Sequence, residues 1–340
     1  MRSSRLTCQV LLATVMMAGA AACGSSPSTG ASDGAATSGQ LLVATTVSPI
    51  TSIAASVAGD RARVEGIVPE GTNSHTFEPE PSVAELLSTA DVIFVNGLKL
   101  EDPTLALAET NKKPDAEIVE IGTKVLPESD YIYDFSFPKE GGKPNPHLWT
   151  DPLYATGYAK VIADTLAARD PANADYYRAN AAAFEAKATE LADALRKDQA
   201  TVPDGNLKLL TYHDAYAYFA KDFGWKVIGA IQPQDFADPS PQDVVALINQ
   251  VKAEKVPTIF GSEVFPSSVL KEVADATGAR FESSLRDDDL PGQPGDAEHS
   301  WLGLMRYDYV TMITGLGGTA TNLEALSLAT TTPDKAVYPQ

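Results

Sequence analysis

The chain has 340 residues, 44% of them hydrophobic, with 24 Gly and 23 Pro in no collagen-like period, which excludes a fibrous or wholly disordered protein. Against 26 Lys+Arg stand 45 Asp+Glu, a formal charge of -19, which argues against a nucleic-acid partner and for cations. The two cysteines, Cys8 and Cys23, both precede the body of the chain, which therefore holds neither an intrachain disulfide nor a cysteine metal site; a metal there must use His, Asp or Glu.

Residues 1–22 carry Arg2 and Arg5, no acid, an apolar run over 10–17 and small residues over 18–22, the composition of a signal peptide too short for a comfortable membrane span. Ala20-Ala21-Ala22-Cys23 resembles the lipobox of bacterial lipoproteins, with Ala20 where Leu is usual. That resemblance implies cleavage before Cys23 and lipidation of its thiol; ordinary cleavage after an A-x-A site, leaving one odd thiol, is the alternative. Residues 24–39 are Gly, Ser, Ala and Thr with Pro27 and Asp33, so 23–40 reads as a flexible, lipid-anchored linker.

From Leu41 onward short apolar runs alternate with amphipathic stretches, the pattern of parallel sheets flanked by helices. The expected strands of the first half are 41–47, 64–68, 91–96 and 117–121, with helices over 50–58 and 81–89. A stretch over 171–199, free of Gly and Pro after its first residue, predicts one long helix on the order of 40 Å. Beyond it the expected strands are 208–212, 226–231, 258–260 and 280–283, with helices over 215–223, 241–254, 267–276 and 300–313. The division is thus an N-terminal α/β lobe (41–170), a rigid connecting helix (171–200) and a C-terminal α/β lobe (201–340), each lobe a roughly four-stranded parallel sheet. A continuous helical strut implies little lobe closure.

Of four histidines, His75, His147 and His213 fall in polar or Pro-bounded loops, and His213 directly follows an expected strand, with Asp214 placed to cap the next helix. Ligands of open α/β sheets bind outside the carboxyl ends of strands. The last strand runs into Leu285-Arg286-Asp287-Asp288-Asp289-Leu290, three adjacent carboxylates. Three imidazoles and one carboxylate form a tetrahedral N3O set that suits zinc and is acceptable to manganese or iron. His299 reads as structural or surface, ahead of a helix capped by Ser300. Glu263 reads equally as support for a ligating His or as a helix-start cap.

Asn73-Ser74-His75-Thr76-Phe77-Glu78-Pro79, Asn145-Pro146-His147-Leu148-Trp149-Thr150-Asp151-Pro152, Tyr212-His213-Asp214-Ala215-Tyr216 and the 285–290 segment resemble, in order, the metal-site segments of zinc/manganese substrate-binding lipoproteins of bacterial ABC importers. The resemblance implies two α/β lobes joined by a rigid helix and a divalent transition metal held between them. It implies His75, His147, His213 and Asp288 as ligands, Zn2+ or Mn2+ as transported ligand, and delivery to a membrane permease with its ATPase. It also implies an extracytoplasmic location, anchored to membrane lipid through Cys23, as a monomer without enzymatic activity. Residues 128–145 contain no His, so a His-rich auxiliary loop is not expected. A zinc hydrolase or a metal-stabilised adhesin are the competing classes; neither a His-Glu-x-x-His helix nor a Gly-x-Ser-x-Gly elbow occurs.

Overall fold

The computed structural model describes residues 39–232, 239–262, 264, 268–330 and 332–340. Cys23 with the linker expected around it, and Glu263, lie outside the described residues. The first half contains β1 (Leu41–Thr45), α1 (Ser48–Ala58), β2 (Ala62–Gly66), α2 (Pro81–Thr89), β3 (Val92–Val95), α3 (Asp102–Asn111), β4 (Glu117–Glu120), α4 (Ile121–Val125) and α5 (Pro152–Arg169). Then follow α6 (Ala174–Gln199), β5 (Lys208–Thr211), α7 (Ala217–Phe223), β6 (Lys226–Ala230), α8 (Pro241–Glu254), β7 (Thr258–Ser262), α9 (Ser268–Thr277), β8 (Arg280–Leu285), α10 (Trp301–Gly315) and α11 (Thr321–Glu324).

Both sheets are parallel and share one topology, β2-β1-β3-β4 and β6-β5-β7-β8. The central strands β3 and β7 are buried from end to end, as in Val-Ile-Phe-Val of β3, because helices cover both faces. In each sheet the order reverses beside the first strand, which places a crevice at the carboxyl ends of β1/β3 and of β5/β7.

The helices start where local chemistry dictates. Pro81, Pro152 and Pro241 occupy first-turn positions where a missing N–H costs nothing. Asp151 accepts from Leu153 N, Ser240 forms a reciprocal capping box with Asp243, and Ser300 accepts from Gly303 N as expected. Asp214 does not cap α7. Its Oδ2 accepts from Ser136 N at 3.1 Å, and the helix begins later, at Ala217.

Helix α6 begins at Ala174 after a 3-10 turn, Pro171–Asn173, and its 26 residues make a rod of ~39 Å. Tyr177, Phe184, Ala188, Leu191 and Leu195 recur at three-, four- and seven-residue steps and are buried. Along this face α6 packs on α5 and α1, and also on α10 and α11 of the second half. Phe184 meets Trp301 with ring centroids 4.9 Å apart. One hydrophobic core therefore runs through both halves, from Val43, Ile50 and Phe94 through Tyr158 and Leu191 to Phe219 and Tyr309. Two smaller clusters lie on the outer faces, under α2 and α3 and under α8 and α9.

The last residues, which the sequence division assigns to the second lobe, return to the first. Val337 bridges Glu65 in parallel, Gly66 N donates to Val337 O at 2.9 Å, and Glu70 N donates to Pro339 O at 3.3 Å. The exposed edge of β2 offers unpaired backbone groups, and the C-terminal segment satisfies them.

Candidate metal centre

The three sequence-selected imidazoles converge. His75 Nε2 lies 3.2 Å from His147 Nε2 and 3.2 Å from His213 Nε2, and the last two lie 3.0 Å apart. A tetrahedral ion at ~2.05 Å from each nitrogen requires N···N edges of ~3.3 Å. The side chains alone thus approximate one face of a zinc tetrahedron.

Each imidazole arrives by a different route. His75 follows β2 in a loop tightened by Asn73, whose Oδ1 accepts from His75 N at 3.0 Å. His213 follows β5 directly, and Thr211 Oγ1 donates to His213 O at 2.6 Å. His147 departs from the strand-end placement. It sits in the irregular stretch between α4 and α5, just before a 3-10 turn, Leu148–Thr150. That stretch is held to the end of β3 by Asn96 Nδ2, which donates to Pro146 O at 3.0 Å.

Two amide oxygens determine which ring nitrogen faces the centre. Asn145 Oδ1 lies 2.9 Å from His147 Nδ1 and also accepts from His147 N at 3.1 Å. Gln232 Oε1 lies 2.6 Å from His213 Nδ1. An amide oxygen only accepts, so both Nδ1 atoms carry the proton and both Nε2 lone pairs face inward. Burial pushes all three imidazoles below the usual histidine range, reinforced at His75 and His147 by the neighbouring His213. Phe137 packs on His75 and His147, and Trp149 edges against His147 at 5.0 Å, which fixes the rings further.

The carboxylates after β8 divide into two kinds. Gly71 N donates to both oxygens of Asp289, at 3.0 and 2.8 Å, which turns that side chain toward the 69–76 loop and away from the imidazoles. Asp288 Oδ2 accepts from Ser74 Oγ at 2.5 Å, while its Oδ1 is buried without a hydrogen-bond partner. Asp287 Oδ1 is 3.3 Å from Ser262 Oγ, while its Oδ2 has no hydrogen-bond partner and lies 3.6 Å from His213 Nε2. Ligand atoms of His147, Asp287 and Asp288 fall within 4.8 Å of one another. Asp287 was not distinguished by the sequence as a donor, and here it is as well placed as Asp288.

Burial raises both carboxyls to about 7, with the charge of Asp289 adding at Asp287 and that of Asp287 adding at Asp288. Asp289 rises to about 6, chiefly by burial. The loop that carries all three is pinned from behind. Arg286 N donates to the buried Asp308 Oδ1 at 2.8 Å, Tyr216 OH donates to Asp308 Oδ2 at 2.9 Å, and Trp149 Nε1 donates to Asp287 O at 2.9 Å.

His147 and His213 are almost wholly buried, whereas His75 reaches a pocket of about 190 Å³ lined by Leu98, Phe137, Lys143 and Pro146. His299 stands apart from this centre: it is buried, its ring lies edge-on to Tyr338, and its Nε2 is 3.7 Å from Glu70 Oε1.

Residues 43–315 match the family model of the periplasmic component A of the zinc-uptake complex (ZnuA). The chain belongs to this family. It is the metal-binding, substrate-capturing component of an ABC-type importer. Among relatives it is 28% identical over 301 residues to the manganese-binding lipoprotein MntA of Halalkalibacterium halodurans, covering 87% of this chain and 94% of the relative. It is 30% identical over 275 residues to the iron-binding protein YfeA of Yersinia pestis, covering 81% and 86%. The fold matches the periplasmic zinc binding protein TroA of Treponema pallidum with a TM-score of 0.74 at 22% identity, over 82% of this chain and 99% of that one. Among the described residues no helix is long and apolar enough to cross a membrane.

Proposed function

We propose that this family member captures one divalent transition ion through the Nε2 atoms of His75, His147 and His213 and one carboxylate oxygen of Asp288, and hands it to its permease and ATPase. The observation that supports this most is the triangle of Nε2 atoms at 3.0 to 3.2 Å, close to the edges a tetrahedral ion demands. Zinc leads because three of four donors are nitrogen and because zinc stands above manganese in intrinsic affinity. The named relatives span manganese, iron and zinc, so metal supply and geometry share in the choice. A second reading of the fourth ligand has its own support: Asp287 Oδ2 is buried, unpaired and 3.6 Å from His213 Nε2.

In this reading the protein works as an extracytoplasmic monomer, held to the membrane by lipid on Cys23, and catalyses no reaction. The shared core through α1, α5, α6 and α10 supports a scaffold that stays folded when the ion leaves. Calorimetry with zinc and with manganese on the chain lacking residues 1–22 tests the assignment. One ion per chain is expected, with binding lost in His147→Ala and His213→Ala; unchanged stoichiometry and affinity in those variants refutes it.

A further inference from the structure

We infer that Ser74 sets the coordination number of the captured ion and thereby favours zinc over manganese. The inference rests on the reading of Asp288 as a ligand. Ser74 is buried, and its hydroxyl donates to Asp288 Oδ2 at 2.5 Å from the opposite half of the molecule. Asp288 Oδ1 is buried without a hydrogen-bond partner. One oxygen is thus committed to the serine and one is left for the metal.

The chemistry follows from that division. A carboxylate can hold a cation through one oxygen or through both. Each carboxylate oxygen has two lone pairs, so Oδ2 could hold the serine proton and still reach an ion, but the short serine bond draws on its charge and pins the carboxylate's orientation, which leaves Oδ1 the stronger donor. The serine therefore biases Asp288 toward a single oxygen. Three imidazole nitrogens and one oxygen give four-coordinate geometry, which zinc adopts without penalty. Manganese prefers more oxygen donors in an octahedral shell and is denied one.

Ser74 also immediately precedes His75, so a single loop delivers one ligand and restrains another across the boundary between the halves. Asp287 carries a looser version of the same device, with Ser262 Oγ 3.3 Å from its Oδ1. Ser74 is a positioning residue, since it acts on the ion through Asp288 and does not touch it.

Cobalt(II) is the probe, because its visible absorption is intense when four-coordinate and weak when five- or six-coordinate. The mature protein, with Cys23→Ser throughout so that no thiol competes, is loaded with cobalt(II), and zinc and manganese affinities are measured in parallel. The wild-type protein should give the intense spectrum. Ser74→Ala should weaken it and lower the zinc-over-manganese affinity ratio about tenfold or more, the scale on which partners of ligands act. Ser74→Thr, which restores the hydroxyl, should recover both. A weak wild-type spectrum, or an unchanged spectrum and ratio in Ser74→Ala, overturns the inference. Asp288→Asn separates the two levels: if it leaves affinity intact while Asp287→Asn abolishes it, the ligand reading itself fails and the inference falls with it.

Discussion

The imidazole half of the centre and its carboxylate half are built on opposite principles. On the imidazole side the partners are neutral amides: Asn145 and Gln232 accept from His147 and His213 and fix their tautomers, and burial disfavours the charged form of each ring. On the carboxylate side, Asp287, Asp288 and Asp289 are buried together, and Asp287 and Asp288 each keep one unpaired oxygen. The Nδ1 protons of His147 and His213 are satisfied without a cation. The carboxylate half is costly without one, since buried carboxylates repel each other and lack water. On the proposed assignment, geometry comes from the histidines and the drive to take up positive charge from the aspartates.

Four experiments bear on that contrast, in decreasing order of expected effect. Removing a nitrogen donor should be the most damaging change. His147→Ala deletes a fully buried imidazole and should lower zinc affinity by more than ~100-fold, beyond what a partner of a ligand costs, as read by competition with a calibrated chelator. An affinity within a few fold of wild type would contradict the nitrogen-led geometry. Next, Asn145→Ala and Gln232→Ala leave every ligand in place but free the tautomers, and each should cost ~10- to 100-fold.

The third experiment uses pH to isolate the carboxylate half. Asp287 and Asp288 titrate at about 7 in the metal-free protein, above their ordinary value, so below that pH they hold protons that the ion must displace. Burial shifts the imidazoles the other way, below the usual histidine range. Zinc affinity should therefore fall with acidification, by up to ~10-fold per pH unit for each proton displaced, and level off above pH ~7 to 8. Calorimetry in buffers of different ionisation enthalpy counts the protons released. Asp287→Asn should reduce that count, and an unchanged count would remove Asp287 from the coupling.

The smallest effect should be on the fold. Stripping zinc with a chelator should leave the circular dichroism spectrum intact, because the core through α1, α5, α6 and α10 does not depend on the ion. Returning zinc at a hundredfold excess over its dissociation constant should add ~2.7 kcal/mol and raise the melting temperature. Unfolding on chelation would instead assign the metal a structural role. For comparison, Leu191→Ala in α6 should cost ~2 to 5 kcal/mol whether or not metal is present.

The same contrast explains what was legible in the sequence. All eight strands fall within a few residues of the expected runs; central strands such as β3 read as apolar stretches because they are buried on both faces, while edge strands such as β4 carry a shorter apolar signal. The long helix was visible from its lack of Gly and Pro, although Pro171 opens a 3-10 turn and α6 proper starts at Ala174. Helices α3 and α5 and the short α4 and α11 escaped the element-by-element reading. Pro152 marked the start of α5, but its apolar residues are spread around the helix without a clear stripe, as its buried Ala155, Tyr158, Ala159, Ile162 and Ala163 show.

At the site, the three histidines stood out because His is rare here and each lies in a polar, turn-rich context. Their partners did not. Gln232 supports His213 from the loop after β6, at a separation no local pattern marks. Asn145 was in plain view two residues before His147, yet nothing in sequence says that its oxygen reaches Nδ1. The run Asp287-Asp288-Asp289 shows the limit most clearly. Three identical side chains are indistinguishable by spacing, and only the fold turns Asp289 toward Gly71 while leaving unpaired oxygens on the other two.

The central claim is that three imidazoles form the ion's seat, and a crystal structure of the zinc-loaded protein with anomalous scattering at the zinc edge tests it most directly. A single anomalous peak ~2.0 to 2.1 Å from the Nε2 atoms of His75, His147 and His213, completed by one aspartate oxygen after β8, is the predicted result. A peak held away from this triad, or one bound through Nδ1, would contradict it.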